Sequence, residues 1–268
     1  LTLAERTDGA CDPTVGPLVE LWGFGPAGRR SSVPSDAHIE AVMARTGWHR
    51  LQRDTEGRLL QPGGVGIDLC GIAKGFGVDR VVDVLADAGI RHCLVEVGGE
   101  LRARGQRPNG QPWRVAVEAP QAGSGQAAVL ALHDMAVATS GDRWHFFEHD
   151  GQRHSHTLDP RTGRPVRHGL ASVTVLHAEC MQADALATAL TVLGPVDGMR
   201  HAQRHGLAAM FVRRTAEGAL ERQMSEAFEA AMVERSASST DSGNSNSNSN
   251  SNSNKGPGMP PRASGDRS

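Results

Sequence analysis

Apolar residues recur along this chain in short blocks separated by glycine, proline and Asp-Gly steps, and the spacing inside each block predicts its conformation. Over VGIDLCGIAKGFGVDRVVDVLADAGI, residues 65–90, a strand-like apolar stretch passes through small residues into Val78, Val81, Val82, Val84 and Leu85 at mostly helical spacing. That predicts a strand followed by a helix stopped at Gly89. HCLVEVGG reads as the next strand, ending on a glycine pair, and WRVAVEAP, AAVLAL and MAVATSG as three more. In RWHFFEHDGQRHSHTLDP the Asp-Gly step predicts a hairpin between two polar and aromatic strands. ASVTVLH is a strand, QADALATALTVLG a helix ended by Gly194, and LAAMFVRR with LERQMS a closing hairpin. Helices and hairpins alternate too irregularly for a parallel sheet. The fold class expected is therefore α+β, a mixed, largely antiparallel sheet with helices packed on it.

Composition narrows this picture. With 268 residues, 38% of them hydrophobic, the chain can bury a sizeable core. From Ser236 onward it turns to Ser, Asn, Gly and Pro, including NSNSNSNSNSN, and such a stretch has no apolar side chains to offset the entropy of ordering. A folded domain over 1–235 and a disordered tail over 236–268 are expected. A formal charge of -2 lacks the basic excess that tracks a nucleic-acid backbone, so no nucleic-acid partner is expected. No apolar run approaches the length of about 18 residues that reads as a transmembrane segment. Cys11, Cys70, Cys93 and Cys180 show neither zinc-ligand nor CxxC spacing, which leaves a disulfide open but unassigned. The chain starts at Leu1 without a charged-then-apolar leader and reads as a processed chain or a fragment.

Candidate chemistry lies in five places. On the helix of QADALATALTVLG, Asp184 and Thr188 stand four residues apart on one face, nearly opposite the Leu186, Leu190 and Leu193 stripe. A carboxylate and a hydroxyl together suit a hard cation such as Mg²⁺. The plainer alternative is a capping aspartate and an exposed threonine. DLCGIAKGFGVDR crowds Asp68, Gly71, Lys74, Gly75 and Gly77 into a strand-to-helix passage, either a phosphate cradle with Lys74 as its point charge or tight packing beside a surface lysine. Residues 9–26, GACDPTVGPLVELWGFGP, read as a shaped loop, either one wall of an apolar pocket or a packed surface. Glu100, in VEVGGELRARG, is a solvated charge or a pocket group. In RHSHTLDPRTG, His156 sits three residues before Asp159, where Pro160, Thr162 and Gly163 force a turn. Its near-neutral pKa suits general acid/base work, as against a structural role. His145, His149, His154 and His168 are expected at the surface.

CDPTVGPLVELWGFGP, DLCGIAKGFGVDR, VEVGGELRARG, AVATSGD, HSHTLDPRTGRPV and ADALATALTVLG, in this order over about residues 9–200, resemble the ApbE family of FAD:protein FMN transferases, also called thiamine biosynthesis lipoproteins. The resemblance implies a T-fold-like α+β domain and an enzyme that splits FAD with Mg²⁺. FMN would pass to a threonine or serine hydroxyl of an acceptor flavoprotein as a phosphoester, and AMP would leave. It further implies Asp184 and Thr188 as metal ligands, completed by the backbone carbonyls of Gly71 and Ala187. FAD contacts would come from Ala10, Cys11, Asp12, Asp68, Lys74 and Leu158, with His156 as the acid/base residue. Localisation in the periplasm or on the outer face of the cytoplasmic membrane is implied in the same way. Two rivals share these residues: an FAD pyrophosphatase that yields FMN and AMP, and a flavin-binding protein without turnover. The chain departs from the family pattern in lacking an N-terminal Met-Gly-Thr block and any tyrosine, with His154 and Arg143 standing where the pattern has tyrosines.

Overall fold

Nearly every residue from Leu170 to His177 is buried, which a strand achieves only when other elements cover its sheet on both faces. The computed structural model describes residues 1–28, 32–118, 126–141, 146–215 and 217–237. In chain order it contains α1 (Thr2–Arg6), α2 (Gly16–Leu21), α3 (Asp36–Met43), the short strands β1 (Gln52–Arg53) and β2 (Leu59–Leu60), and α4 (Ala73–Asp87). Strands β3 (Cys93–Val97), β4 (Glu100–Arg104), β5 (Trp113–Glu118), β6 (Gln126–Leu132) and β7 (Ala136–Gly141) follow. Then come β8 (Phe146–His149), β9 (Gln152–Ser155), β10 (Leu158–Asp159), β11 (Arg164–Pro165) and β12 (Leu170–His177). Helix α5 (Cys180–Arg204), β13 (Ala208–Arg214), β14 (Leu220–Met224) and α6 (Glu226–Ala237) complete the chain.

Six strands form one sheet in the order β14-β13-β12-β7-β4-β3, each neighbouring pair antiparallel. Side chains alternate across it with the period of two that a pleated strand imposes. Val173, Val175, Ala138, Ala209 and Phe211 meet Ala183, Leu186, Ala187 and Leu190 of α5 on one face. Val137, Leu176 and Met210 meet the other cover, made of the β5–β6 hairpin (Val115, Val117, Leu130, Leu132) and Phe228 of α6. A smaller cluster of Leu18, Trp22, Ile39, Val42 and Leu158 joins α2 and α3 to the corner after β9. The expected α+β class with a largely antiparallel sheet holds.

Several local expectations change. Residues 65–72 are not a strand: Ile67 and Leu69 stand exposed and the segment runs as an open lead into α4. The stretch 9–26 contains α2, which Pro17 can begin because its missing N–H falls in the first turn. Gly194 does interrupt the helix, with φ 81°, but Pro195 starts a second helical stretch that reaches Arg204. Helix α6 was not foreseen; Ser225 starts it, its Oγ accepting from the Phe228 amide while donating to Leu207 O. The first residues of the expected tail lie in α6, and residues 238–268 fall outside the described residues. All four cysteines are free thiols. Among the described residues no helix is long and apolar enough to cross a membrane.

Candidate active site at the junction of two helices

The N-terminal ends of α4 and α5 meet, and each helix lends the other a carboxylate. The first amides of a helix have no partner within it and favour negative charge. Asp79, buried on α4, accepts from the Cys180 and Met181 amides at the start of α5, 2.9 Å each. Asp184, buried on α5, accepts through Oδ2 from the Gly75 amide of α4 at 3.0 Å. The helices come this close because residue 75 is glycine; a Cβ there would collide with the Cys180 carbonyl. Arg102 of β4 steadies Asp79 at 2.7 Å.

Around Asp184 the chain gathers oxygen donors and one ammonium. Thr188 lies one turn further along α5, its Oγ1 3.1 Å from Ser140 Oγ of β7. Gly71 abuts Thr188; a Cβ on it would stand 3.4 Å from Thr188 Oγ1. Lys74 donates to Glu100 Oε1 at 2.5 Å. Burial pushes the Asp184 carboxyl above its ordinary range, the Gly75 amide and Lys74 pulling the other way. Burial likewise raises Glu100, opposed by its contact with Lys74. Among the described residues no three His, Cys, Asp or Glu side chains gather as a metal set. A cation held here would draw on one carboxylate, a hydroxyl and carbonyl oxygens. That donor set suits Mg²⁺, whose remaining positions water and substrate oxygens fill.

The other expected positions fare differently. Ala187 is fully buried against the sheet, and its carbonyl already accepts from Thr191 Oγ1 at 2.8 Å, so a cation would have to share that oxygen. Asp68 braces its own loop, Oδ1 accepting from the Cys70 amide and its amide donating to Pro13 O. The same contact ties the 65–72 lead to the start of α2. Asp12 is turned inward: its carboxylate accepts from the Thr14 amide and hydroxyl and from the Trp48 amide, at 2.7–2.9 Å. Ala10 is buried beside it, and burial lifts the Cys11 thiol to about 11, with the Asp12 and Asp184 charges adding to the shift.

His156 lies at the corner between β9 and β10, edge-on to Phe24 with ring centroids 6.3 Å apart. Behind it Phe147 stacks on His154 at 4.8 Å and 21°, and Trp22 tilts against both. Trp22 also donates its indole N–H to Gly163 O at 2.8 Å, which locks the 9–26 segment to the DPRTG turn. Leu158 is buried in that cluster. The expected surface placement of His154 is overturned: the ring is buried, because α2 and the Phe147 strand close over it. His149 and His168 are partly buried, and His145 lies outside the described residues. Ser140 goes unread in the sequence, with only its place in ATSG to hint at it; Gly75 reads as one of several small residues for close approach, and Glu100 stays open between solvent and pocket.

The fold, with its six-stranded antiparallel sheet, is shared with solved flavin transferases. The solved flavinyl transferase ApbE of Pseudomonas stutzeri superposes with a TM-score of 0.78 at 45% identity, over 86% of this chain and 71% of that one. The Vibrio cholerae flavin transferase ApbE gives 0.77 at 41%, over 85% and 73%. The chain belongs to the ApbE family, whose model matches residues 1–211. Among curated relatives, the FAD:protein FMN transferase of Vibrio cholerae is 45% identical over 215 residues, 79% of this chain and 64% of that protein. The one from Haemophilus influenzae is 41% identical over 224 residues, 81% and 65%. The chain thus spans just under two thirds of the length of these two relatives.

Proposed function

We propose that this protein, like the relatives named for it, moves FMN from FAD onto a serine or threonine hydroxyl of an acceptor protein, with Mg²⁺ required. The observation that carries the reading is the α4–α5 junction. There a desolvated carboxylate, two hydroxyls, an ammonium and helix-start amides converge. Transfer of a phosphate group demands positioning and charge neutralisation more than covalent help, and those donors suit both tasks. Asp184, Thr188 and the Gly71 carbonyl would hold Mg²⁺, which when bound supplies positive charge against the phosphate oxygens. Lys74 would bind the diphosphate as a point charge. The acceptor oxygen forms its bond to the FMN phosphorus, the bond from that phosphorus to the AMP oxygen breaks, and AMP leaves. His156 takes the hydroxyl proton. Phe24 and Phe147, half-buried beside the buried Trp22, offer an apolar surface fitted to a flavin ring and to keeping water from it.

The test combines the purified protein with FAD, Mg²⁺ and an acceptor domain, followed by mass spectrometry of the acceptor and assay of AMP. A mass gain of one FMN with matching AMP, abolished by chelation, is expected. AMP and free FMN with an unmodified acceptor would make the protein a pyrophosphatase, and FAD unchanged after long incubation would make it a flavin binder.

A further inference from the structure

Glu100 is a charged group of the site that the metal set, the diphosphate contact and the proton transfer all leave unused. Glu100 opens β4, directly after the Gly98–Gly99 turn that joins β3 to β4. Both glycines adopt positive φ, 63° and 100°, which turns the chain sharply enough to bring the carboxylate back over α4. A side chain at 98 would crowd the pair, since a Cβ there would lie 3.3 Å from Lys74 Cδ and 3.7 Å from Glu100 Oε2.

The two partners differ in exposure. The Glu100 side chain is 3% exposed, that of Lys74 46%. One oxygen of the acid takes the ammonium; the other, Oε2, is buried with no hydrogen-bond partner among the described residues. Leaving an acceptor in that state costs stability, and an ordinary surface ion pair would not need it. Burial raises the Glu100 carboxyl, and the hydrogen bond and charge of Lys74 oppose the rise. The same lysine charge acts on Asp184. Lys74 is thus anchored from the buried side by Glu100, within electrostatic range of Asp184 and with its open side toward solvent.

We propose that Glu100 is a positioning residue for the diphosphate of the substrate: it does not touch the substrate but holds the Lys74 ammonium at the mouth of the α4–α5 junction, where an incoming diphosphate meets it. This rests on the reading of Lys74 as a diphosphate contact. A free lysine has four rotatable bonds and a strongly hydrated head, and fixing it before the ligand arrives removes that ordering cost from binding. The arrangement selects ligands by their diphosphate, whatever ring they carry.

The test compares the parent with Glu100→Gln, which keeps the shape and removes the charge, with Lys74→Met, and with the double variant. Binding of FAD and of ADP is measured by titration calorimetry, because ADP has the diphosphate without the flavin. Glu100→Gln is expected to weaken both ligands about tenfold, the usual scale for losing a charge-assisted hydrogen bond. The double variant should be no more than about twofold weaker than Lys74→Met, since the glutamate acts only through the lysine. In the transfer assay the FAD KM should rise by the same factor with kcat nearly constant. Should Glu100→Gln fail to give the parent's circular dichroism, Glu100→Asp keeps the charge one carbon further back and is expected to show a smaller loss of the same kind. Parent affinity in the folded Glu100 variants, or additive losses in the double variant, overturns the proposal. A parent that binds ADP through Lys74 yet neither binds nor transfers flavin sinks the flavin reading and leaves this one standing; a parent that binds neither ligand sinks both.

Discussion

Asp184 performs two tasks that a single substitution can separate. Its Oδ2 holds the Gly75 amide, and its charge is what a hard cation would bind. Asp184→Asn retains an acceptor for the amide and removes the charge. The variant is expected to keep the parent's circular dichroism spectrum while losing flavin transfer by more than about a thousandfold, because the cation that would offset the phosphate charge loses its carboxylate ligand. His156→Ala should slow transfer by about a hundredfold to ten-thousandfold, the range of a general base, with FAD affinity by fluorescence titration within about threefold of the parent. A parental rate in His156→Ala would remove the histidine from the chemistry. At this scale much was legible: the i, i+4 spacing in DALATAL marked Asp184 and Thr188, and the structure puts Gly71 and Lys74 beside them. Ala187 could not be judged from spacing, because whether a helical carbonyl is open depends on the Thr191 hydroxyl folded onto it. Glu100 was equally undecided, since one glutamate after two glycines reads the same whether it faces water or a lysine.

Elements were legible where periodicity was strong and illegible where it was borrowed. The hairpin at Asp150–Gly151 and the buried strand β12 follow from local pattern alone. The VGIDLC stretch has strand composition yet pairs with nothing, because its course is fixed by the Asp68 amide on Pro13 O and by the entry to α4. Helix α6 rests on packing of Phe228 against the sheet, a contact no window of sequence contains. The closest approach between elements, Gly75 under the Cys180 carbonyl, yields a sharp expectation. Gly75→Ala favours the helix intrinsically but must push α4 from α5, so overpacking should dominate and destabilise the protein by about 1–3 kcal/mol in urea unfolding. The same variant should lose transfer activity more than stability, because the Asp184 anchor moves with it.

For the whole molecule the order of the sheet, β14-β13-β12-β7-β4-β3, was out of reach of the sequence, since it pairs residues as far apart as Leu170 and Arg213. So was the aromatic cluster that buries His154 between Phe147 and Trp22. Burial holds the His154 imidazole below its ordinary pKa, with Arg167 and His149 adding to the effect. The unfolded chain therefore binds a proton more readily than the folded one, and this contribution to stability is present above the ordinary histidine value near 6.5 and lost as pH falls through the folded one. Thermal melts from pH 7.5 to 5 should show the melting temperature falling with acidity, and His154→Phe should flatten that slope; an unchanged slope would place its origin elsewhere.

The crossed pair of aspartates, Asp79 under α5 and Asp184 under α4, also bears on when the protein becomes competent. About a hundred residues separate the two halves of the exchange, so a ribosome must release both before either helix start is satisfied. A half-emerged or partly melted copy has these acid groups apart, so the junction forms only once both helices are in place.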